Sequence, residues 1–259
     1  MKTMIQSSSS KQIKYLSSLQ NKSKVRNEMK QFVVEGERIT KEIPEDMLVS
    51  MYVSESYEKQ SLNIPFKGYE VVADNVFKGI SKTVTPQGIL AIAKQPQYSL
   101  EDMLSEGKKT LIFLEDIRDP GNLGTIIRAA EGADVDGIVM SKGTVDVFNP
   151  KVTRSTMGAI YRMPFVYVDD MQETVKYAKD KGIVFFAAHL KGKSDYATIK
   201  YPKRSAVIIG NEANGISETI ANEANELVKI PMTGKVESLN ASIAASVFMY
   251  EIYRQRRLY

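Results

Sequence analysis

From Thr110 onward, short unbroken apolar runs alternate with stretches of helical periodicity, and this alternation restricts the fold more than any other feature. The runs are Thr110–Leu114, Gly137–Met140, Phe165–Val168, Ile183–Ala188, Ala206–Ile209 and Glu226–Ile230. Apolar side chains at successive positions suit strands covered on both faces, because neighbouring residues of a strand point to opposite sides of the sheet. Strands of that kind separated by helices predict a mainly parallel α/β sheet. A last helix is expected from Ser238 to about Arg256, with Leu239, Ile243, Val247 and Tyr250 on one apolar stripe.

The first third reads as a smaller α/β domain over residues 1–95, with strands at Phe32–Glu35, Leu48–Val53, Tyr69–Ala73 and Gly88–Ala93. Ser7–Ser10 reads as a frayed start. Ile13, Leu16 and Leu19 then recur at helical spacing. The polar stretch 96–108, flanked by Gln95-Pro96-Gln97 and Glu106-Gly107-Lys108-Lys109, is expected to be a linker, with a second domain over 109–259.

Charge is unevenly distributed. The whole chain carries +4, yet residues 1–30 hold seven basic side chains (Lys2, Lys11, Lys14, Lys22, Lys24, Arg26, Lys30) against one acid, Glu28. A solvated helix face would tolerate such a run. A one-signed excess is also what a phosphate-contacting surface requires, so Lys11, Lys14, Lys22, Lys24 and Arg26 are candidate polyanion contacts.

Composition removes several chemistries. There is no cysteine and one histidine, His189. A disulfide framework, a thiolate or multi-histidine metal centre, a cysteine nucleophile and a cysteine-bound iron–sulfur cluster are therefore excluded, and no metal is expected. Without tryptophan, base stacking would fall to Tyr, Phe or Arg. No apolar run is long enough to span a membrane, and the amino-terminal stretch lacks the apolar core of a secretory signal, so a cytoplasmic protein is expected.

In an open parallel sheet, ligands sit beyond the carboxyl ends of the strands. Three segments follow strands there and carry unusual polar residues. In Asp119-Pro120-Gly121-Asn122-Leu123-Gly124-Thr125-Ile126-Ile127-Arg128, Pro120 suits the first helical position and Asn122 could cap the helix. Arg128, set among Ile126, Ile127, Ala129 and Ala130, is expected to be half-buried and so to need a partner. In Gly210-Asn211-Glu212-Ala213-Asn214-Gly215, an acid sits in a turn at a strand end. In Ile230-Pro231-Met232…Ser238-Leu239-Asn240, Ser238 reads as an N-cap and Asn240 is an odd choice for structure alone.

Together the three segments resemble the motifs of the SpoU (TrmH-like) branch of the SPOUT methyltransferases, in order and spacing, over roughly Thr110 to Glu251. The stretch Phe32-Val33-Val34-Glu35-Gly36-Glu37-Arg38 resembles the core of the family's substrate-binding domain, of ribosomal-protein-like fold, and adds Arg38 to the candidate RNA contacts. The resemblance implies a SPOUT domain with a carboxyl-terminal trefoil knot, and methylation of an RNA ribose 2′-hydroxyl. S-adenosyl-L-methionine would be held by backbone groups at Gly210, Ile230 and Leu239, and less firmly by the loop after Ile183–Ala188. It implies Arg128 at the acceptor oxygen, as base or as phosphate anchor, with Asn122, Glu212, Ser238 and Asn240 orienting the reactants. Arginine holds its proton too tightly to make a good base, which favours anchoring. It further implies a homodimer through the knot and final helix, and ribosomal RNA, most naturally of the large subunit, as substrate.

Competing readings are a tRNA substrate, an inactive RNA-binding or ribosome-associated protein, and a nucleotide enzyme. The last is poor: no Gly-x-Gly-x-x-Gly follows a strand, and Gly192-Lys193-Ser194 has Ala187 where a phosphate loop needs glycine. His189 could accept a proton but reads more naturally as structural.

Overall fold

The structure is a computed structural model that describes residues 4–60, 64, 66 and 68–258. In chain order its elements are α1 (Lys11–Asn21), α2 (Ser23–Met29), β1 (Gln31–Glu35), α3 (Glu37–Lys41), β2 (Leu48–Ser54), α4 (Glu55–Gln60), β3 (Glu70–Val72), α5 (Asp74–Ile80) and β4 (Ile89–Lys94). They continue with α6 (Leu100–Met103), β5 (Lys109–Leu114), α7 (Pro120–Gly132), β6 (Gly137–Ser141), α8 (Pro150–Ser155), β7 (Phe165–Val168) and α9 (Met171–Asp180). The last are β8 (Val184–Ala188), β9 (Ser194–Asp195), β10 (Arg204–Ile209), α10 (Glu218–Glu223), β11 (Glu226–Lys229) and α11 (Ala241–Leu258). Two compact units result: residues up to Gln97 together with Asp146–Tyr161, and Tyr98–Val145 together with the chain from Arg162.

In the first unit the strands run in the order β1-β4-β2-β3. β4 is antiparallel to both neighbours, with Phe32 opposite Ala93, while β2 and β3 are parallel. The helical spacing of Ile13, Leu16 and Leu19 buries all three against Val33, Tyr52, Leu90 and Ile92. Ser10 caps α1 by accepting the Ile13 N–H at 3.3 Å. The start is not frayed throughout. Ile5 is buried and pairs alongside Val72, its N–H donating to the Val71 carbonyl at 2.8 Å.

Segment 146–161, distant in sequence, packs into this unit. Phe148 and Tyr161 pack at a tilt against buried Phe32, with ring centroids 4.8 Å and 6.3 Å away. Arg26 is the clearest departure from expectation. It is 4% exposed, pairs with Asp146, and donates to the Leu19 carbonyl at 2.6 Å. A guanidinium enclosed by a carboxylate and helix-end carbonyls is a structural clamp, and it cannot also hold a phosphate. Lys11, Lys14, Lys22 and Lys24 are exposed, and so is Arg38, which stands 3.6 Å from Glu42. Lys2 lies outside the described residues.

In the second unit seven strands run in the order β7-β6-β5-β10-β8-β11-β9, and every pairing is parallel. Each expected strand is present, and the two-residue β9 is an addition. Leu111, Phe113, Phe185, Ala206 and Ile208 are buried at the sheet's centre. From β5 the order steps outward through β6 to β7 on one side and jumps to β10 on the other, so the direction of winding reverses between β5 and β10. Loops that leave such a switch point diverge and open a crevice. The stretch expected to be a linker is not bare: it contains α6, and Met103 and Leu104 are buried in this core.

Candidate active site

The loops that follow β5 and β10 face one another across the switch point. Asp119 caps α7 by accepting the Asn122 N–H at 2.8 Å, and Pro120 takes the first turn as expected. Because Asp119 does the capping, the Asn122 side chain is free for other partners. Its Nδ2 donates to Glu212 Oε1 at 2.9 Å, and its Oδ1 accepts from Asn240 Nδ2 at 2.9 Å. Asn240, not Ser238, caps α11: its Oδ1 accepts the Ser242 N–H at 2.8 Å and the Ser242 hydroxyl at 2.6 Å. The helix accordingly starts at Ala241, three residues later than expected.

A continuous hydrogen-bonded chain thus runs Asn240–Asn122–Glu212 and joins all three motif segments. Each amide has its orientation fixed, since a carboxylate can only accept and so requires an N–H from Asn122. Glu212 also accepts the N–H groups of Arg118 and Asp119, both at 3.3 Å. Partial burial pushes its carboxyl up. The bonds from the Asn122 amide, its own backbone N–H and those of Arg118 and Asp119 outweigh that and hold it below the ordinary carboxylate range. Glu212 is therefore an anion at neutral pH.

Beside this chain lies a cavity of about 330 Å³ at the carboxyl ends of β8, β10 and β11, closed on one side by the start of α11. The three backbone positions expected there, Gly210, Ile230 and Leu239, all line it, as do Glu212 and Ser238. Gly210 is buried, and the reason for glycine is close approach. A Cβ built there would stand 2.2–2.3 Å from the backbone of Gly215 and Ile216. The turn itself is pinned by Asn211, whose Nδ2 donates to the Asp116 carbonyl at 2.8 Å while its Oδ1 accepts the Ala213 N–H at 2.9 Å. The volume falls in the range of small-ligand pockets, and apolar lining residues such as Ile209, Ile216, Met232 and Leu239 suit the flat face of an adenine-bearing ligand. A larger hollow of about 770 Å³, bordered by Glu101, Tyr177 and Arg204, lies at the amino-terminal edge of the strands, away from every motif.

The loop after β8 also reaches the cavity through His189, Leu190 and Lys191. His189 Nδ1 accepts the Lys191 N–H at 3.1 Å, a turn-stabilising bond. The apparent phosphate-loop tail has a steric origin: a Cβ on Gly192 would meet the backbone of Leu227, Val228 and Lys229 at 2.7–2.8 Å.

Arg128 departs from expectation. α7 buries Leu123, Gly124, Ile126, Ile127 and Ala130, and Arg128 falls on the opposite face, exposed and outside the Asn240–Asn122–Glu212 chain. The apolar stripe of α11 is likewise divided. Ile243 and Tyr250 are 53% and 48% exposed, whereas Leu239 precedes the helix and lines the cavity. Sequence reasoning did not single out Asp119, Asn211 or Met232. Asp119 did carry a signal, an acid immediately before a proline at a helix start.

Residues 109–250 match the SpoU rRNA methylase family. The chain belongs to that family. Residues 10–91 further match the MRM3-like substrate-binding domain. Among SpoU relatives, the 23S rRNA (guanosine(2553)-2′-O)-methyltransferase RlmP of Bacillus subtilis is 30% identical over 96% of this chain and 98% of its own. An AdoMet-bound rRNA methyltransferase from Sinorhizobium meliloti superposes with TM-score 0.84 at 29% identity, over 97% of each chain. An RNA 2′-O ribose methyltransferase superposes with TM-score 0.84 at 26% identity, over 98% of this chain and 100% of that one. Among the described residues no helix is long and apolar enough to cross a membrane, and no cluster of His, Asp or Glu is arranged to hold a metal ion.

Proposed function

We propose that this SpoU protein transfers a methyl group from S-adenosyl-L-methionine to a ribose 2′-hydroxyl of large-subunit ribosomal RNA in the cytoplasm. The observation that carries the reading is the Asn240–Asn122–Glu212 chain set against a cavity, lined in part by Gly210 and Gly215, at the sheet's switch point. Bound in that cavity, the cofactor supplies an already activated methyl group. What remains for the protein is to hold the 2′-oxygen in line with it and to manage the hydroxyl proton.

Gly210, Ile230 and Leu239 hold the cofactor through backbone groups, in a segment folded as the family's trefoil knot. Asn122, with its amide fixed between Glu212 and Asn240, presents a rigid polar edge to the acceptor ribose, and Ser238 in the cavity lining adds a hydroxyl. Arg128 grips the phosphate next to the target ribose. Its exposure suits this role, because a planar guanidinium facing solvent can take a phosphate through paired bonds. The exposed Ile243 and Tyr250 on α11 are the contact face for a second copy of the chain, and the lysines of α1 and α2 supply affinity for the RNA backbone.

Two measurements test the reading. Calorimetry on the full-length protein should show S-adenosylmethionine binding, with S-adenosylhomocysteine competing. Mapping of ribose methylation in the host's ribosomal RNA should lose one site when the gene is deleted, and the Arg128→Ala protein should fail to restore it. Unchanged methylation in the deletion strain, or full restoration by that variant, overturns the assignment.

A further inference from the structure

The loop between α5 and β4 has features that neither the methyl-transfer site nor the lysines of α1 and α2 explain. Val84 at its tip is 99% exposed, the most exposed of the large apolar side chains described. A single exposed valine needs no explanation on its own. The anchoring of the loop beneath it does. Glu35, at the end of β1, is 9% exposed, and its carboxylate is turned into the base of the loop. It accepts bonds from the Ser81 hydroxyl, from the Lys82 N–H at 2.9 Å and from the Thr83 hydroxyl at 2.9 Å.

Burying a carboxylate is costly unless it is fully bonded. Here the bonds go to three consecutive loop residues and fix the loop's base. At the far end, Gln87 Oε1 accepts the Glu37 N–H at 2.7 Å. Both ends of a short polar loop are therefore tied to β1 and α3, with Pro86 stiffening the span and Val84 presented at the top. Along the loop itself the charge has one sign. Residues 75–90 contain Lys78 and Lys82 and no acid. Both lysines are exposed, and Arg154 Nη1 from α8 lies 3.4 Å from the Lys82 carbonyl. Of the carboxylates at its anchor points, Glu35 is enclosed by its own partners and Glu37 is paired with Lys41.

We infer that the Ser81–Gln87 loop is a preorganised RNA-gripping element, in which Val84 packs against an unpaired base while Lys82 and Arg154 take the flanking phosphates. An apolar tip between cations matches a nucleotide splayed out of a stack, with its flat face uncovered and its phosphate exposed. A protein partner would be expected to bury a wider apolar patch than one side chain. The inference rests on the RNA-methylation reading and assigns that substrate a second foothold, independent of α1 and α2.

Val84 and Lys82 make no packing contacts that folding needs, so Val84→Asp and Lys82→Gln can be tested in the full-length protein. Binding to an unmodified transcript of large-subunit ribosomal RNA is measured across a salt series, with S-adenosylmethionine calorimetry alongside. Val84→Asp is expected to weaken RNA binding about fivefold or more, because it removes the apolar contact and sets a carboxylate beside the RNA phosphates. Lys82→Gln is expected to weaken binding and reduce the salt slope by roughly 0.7–0.9, the signature of one phosphate contact. Cofactor affinity should stay unchanged in both. Two variants that bind RNA like the parent, with the same slope, overturn the inference and leave methylation standing. A parent protein that takes up the cofactor but not this RNA overturns the ribosomal reading and this inference with it.

Discussion

Replacing Gly210 by alanine adds one methyl group at the tightest point of the cavity wall. The added carbon would lie 2.2 Å from the Gly215 carbonyl carbon and 2.3 Å from the Ile216 nitrogen. Ordinary contact between such atoms begins near 3.4 Å, so the strands of the turn must separate by about 1 Å. The obstacle is backbone, and it is itself pinned by the paired Asn211 and Gly215 bonds of 2.9 Å, so no side chain can swing away. Overpacking of this kind costs about 1–3 kcal/mol. For a chain of this size that lowers Tm by roughly 2–4 °C per kcal/mol. Since the displaced backbone is the cavity wall, cofactor affinity should fall by at least about tenfold, a loss of about 1.4 kcal/mol or more.

Gly234→Ala is the matching control, because nothing lies within 4 Å of a Cβ built there. Thermal melts and S-adenosylmethionine calorimetry on the two variants separate the outcomes. A Gly210→Ala protein with parental Tm and parental cofactor affinity would refute the placement of the cofactor against this turn.

Three further perturbations follow from the same structure. Arg26→Ala should destabilise the fold by about 2 kcal/mol, the loss of its charge-assisted bonds to Asp146 and the Leu19 carbonyl, whereas neutralising Lys11, Lys14, Lys22 and Lys24 together should spare Tm and flatten the salt dependence of RNA binding; denaturant melts and filter binding distinguish the two. The Glu212 carboxyl is held below its ordinary range when folded, so its stabilising contribution is complete above that range and is lost as pH falls through the folded value. The Tm advantage of the parent over Glu212→Gln should therefore shrink on acidification from about pH 6 to pH 3, and an advantage that grows instead contradicts the bonding described. The proposed α11 contact predicts that the parent sediments as a dimer in analytical ultracentrifugation and the Ile243→Asp, Tyr250→Asp double variant as a monomer with its melt intact.

Strand positions were legible because fully apolar runs have one economical fate, the inside of a parallel sheet, and each of those strands is found where its run lies. Periodicity served equally well for Ile13, Leu16 and Leu19. Arg128 shows where local context misleads. Its neighbours are apolar on both sides, yet the 100° turn per residue places it opposite the buried stripe of α7. Arg26 shows the reverse. Nothing near it in sequence announces burial, because its partner Asp146 stands 120 positions away. The N-cap of α11 turned on choosing between Ser238 and Asn240, two good capping residues two positions apart, and the bond from Asn240 to Asn122 sets which is used. The three motif segments could be named from sequence, but the relay joining them could not, since hydrogen-bond direction between amides exists only in three dimensions.

The path of the chain through its two units has a consequence for dissection. The polypeptide passes from one unit to the other after Gln97, returns at Asp146, and leaves again after Tyr161. A protease nick near Gln97 would accordingly release no domain, because residues 146–161 remain folded into the first unit with Phe148, Val152 and Ile160 buried. Deleting the first 97 residues would strip the cover from those side chains and leave a sticky excursion on the remaining fragment. Gene fusions that graft this amino-terminal module onto another catalytic core must carry the excursion along, so the module is portable only as a split insert of two segments.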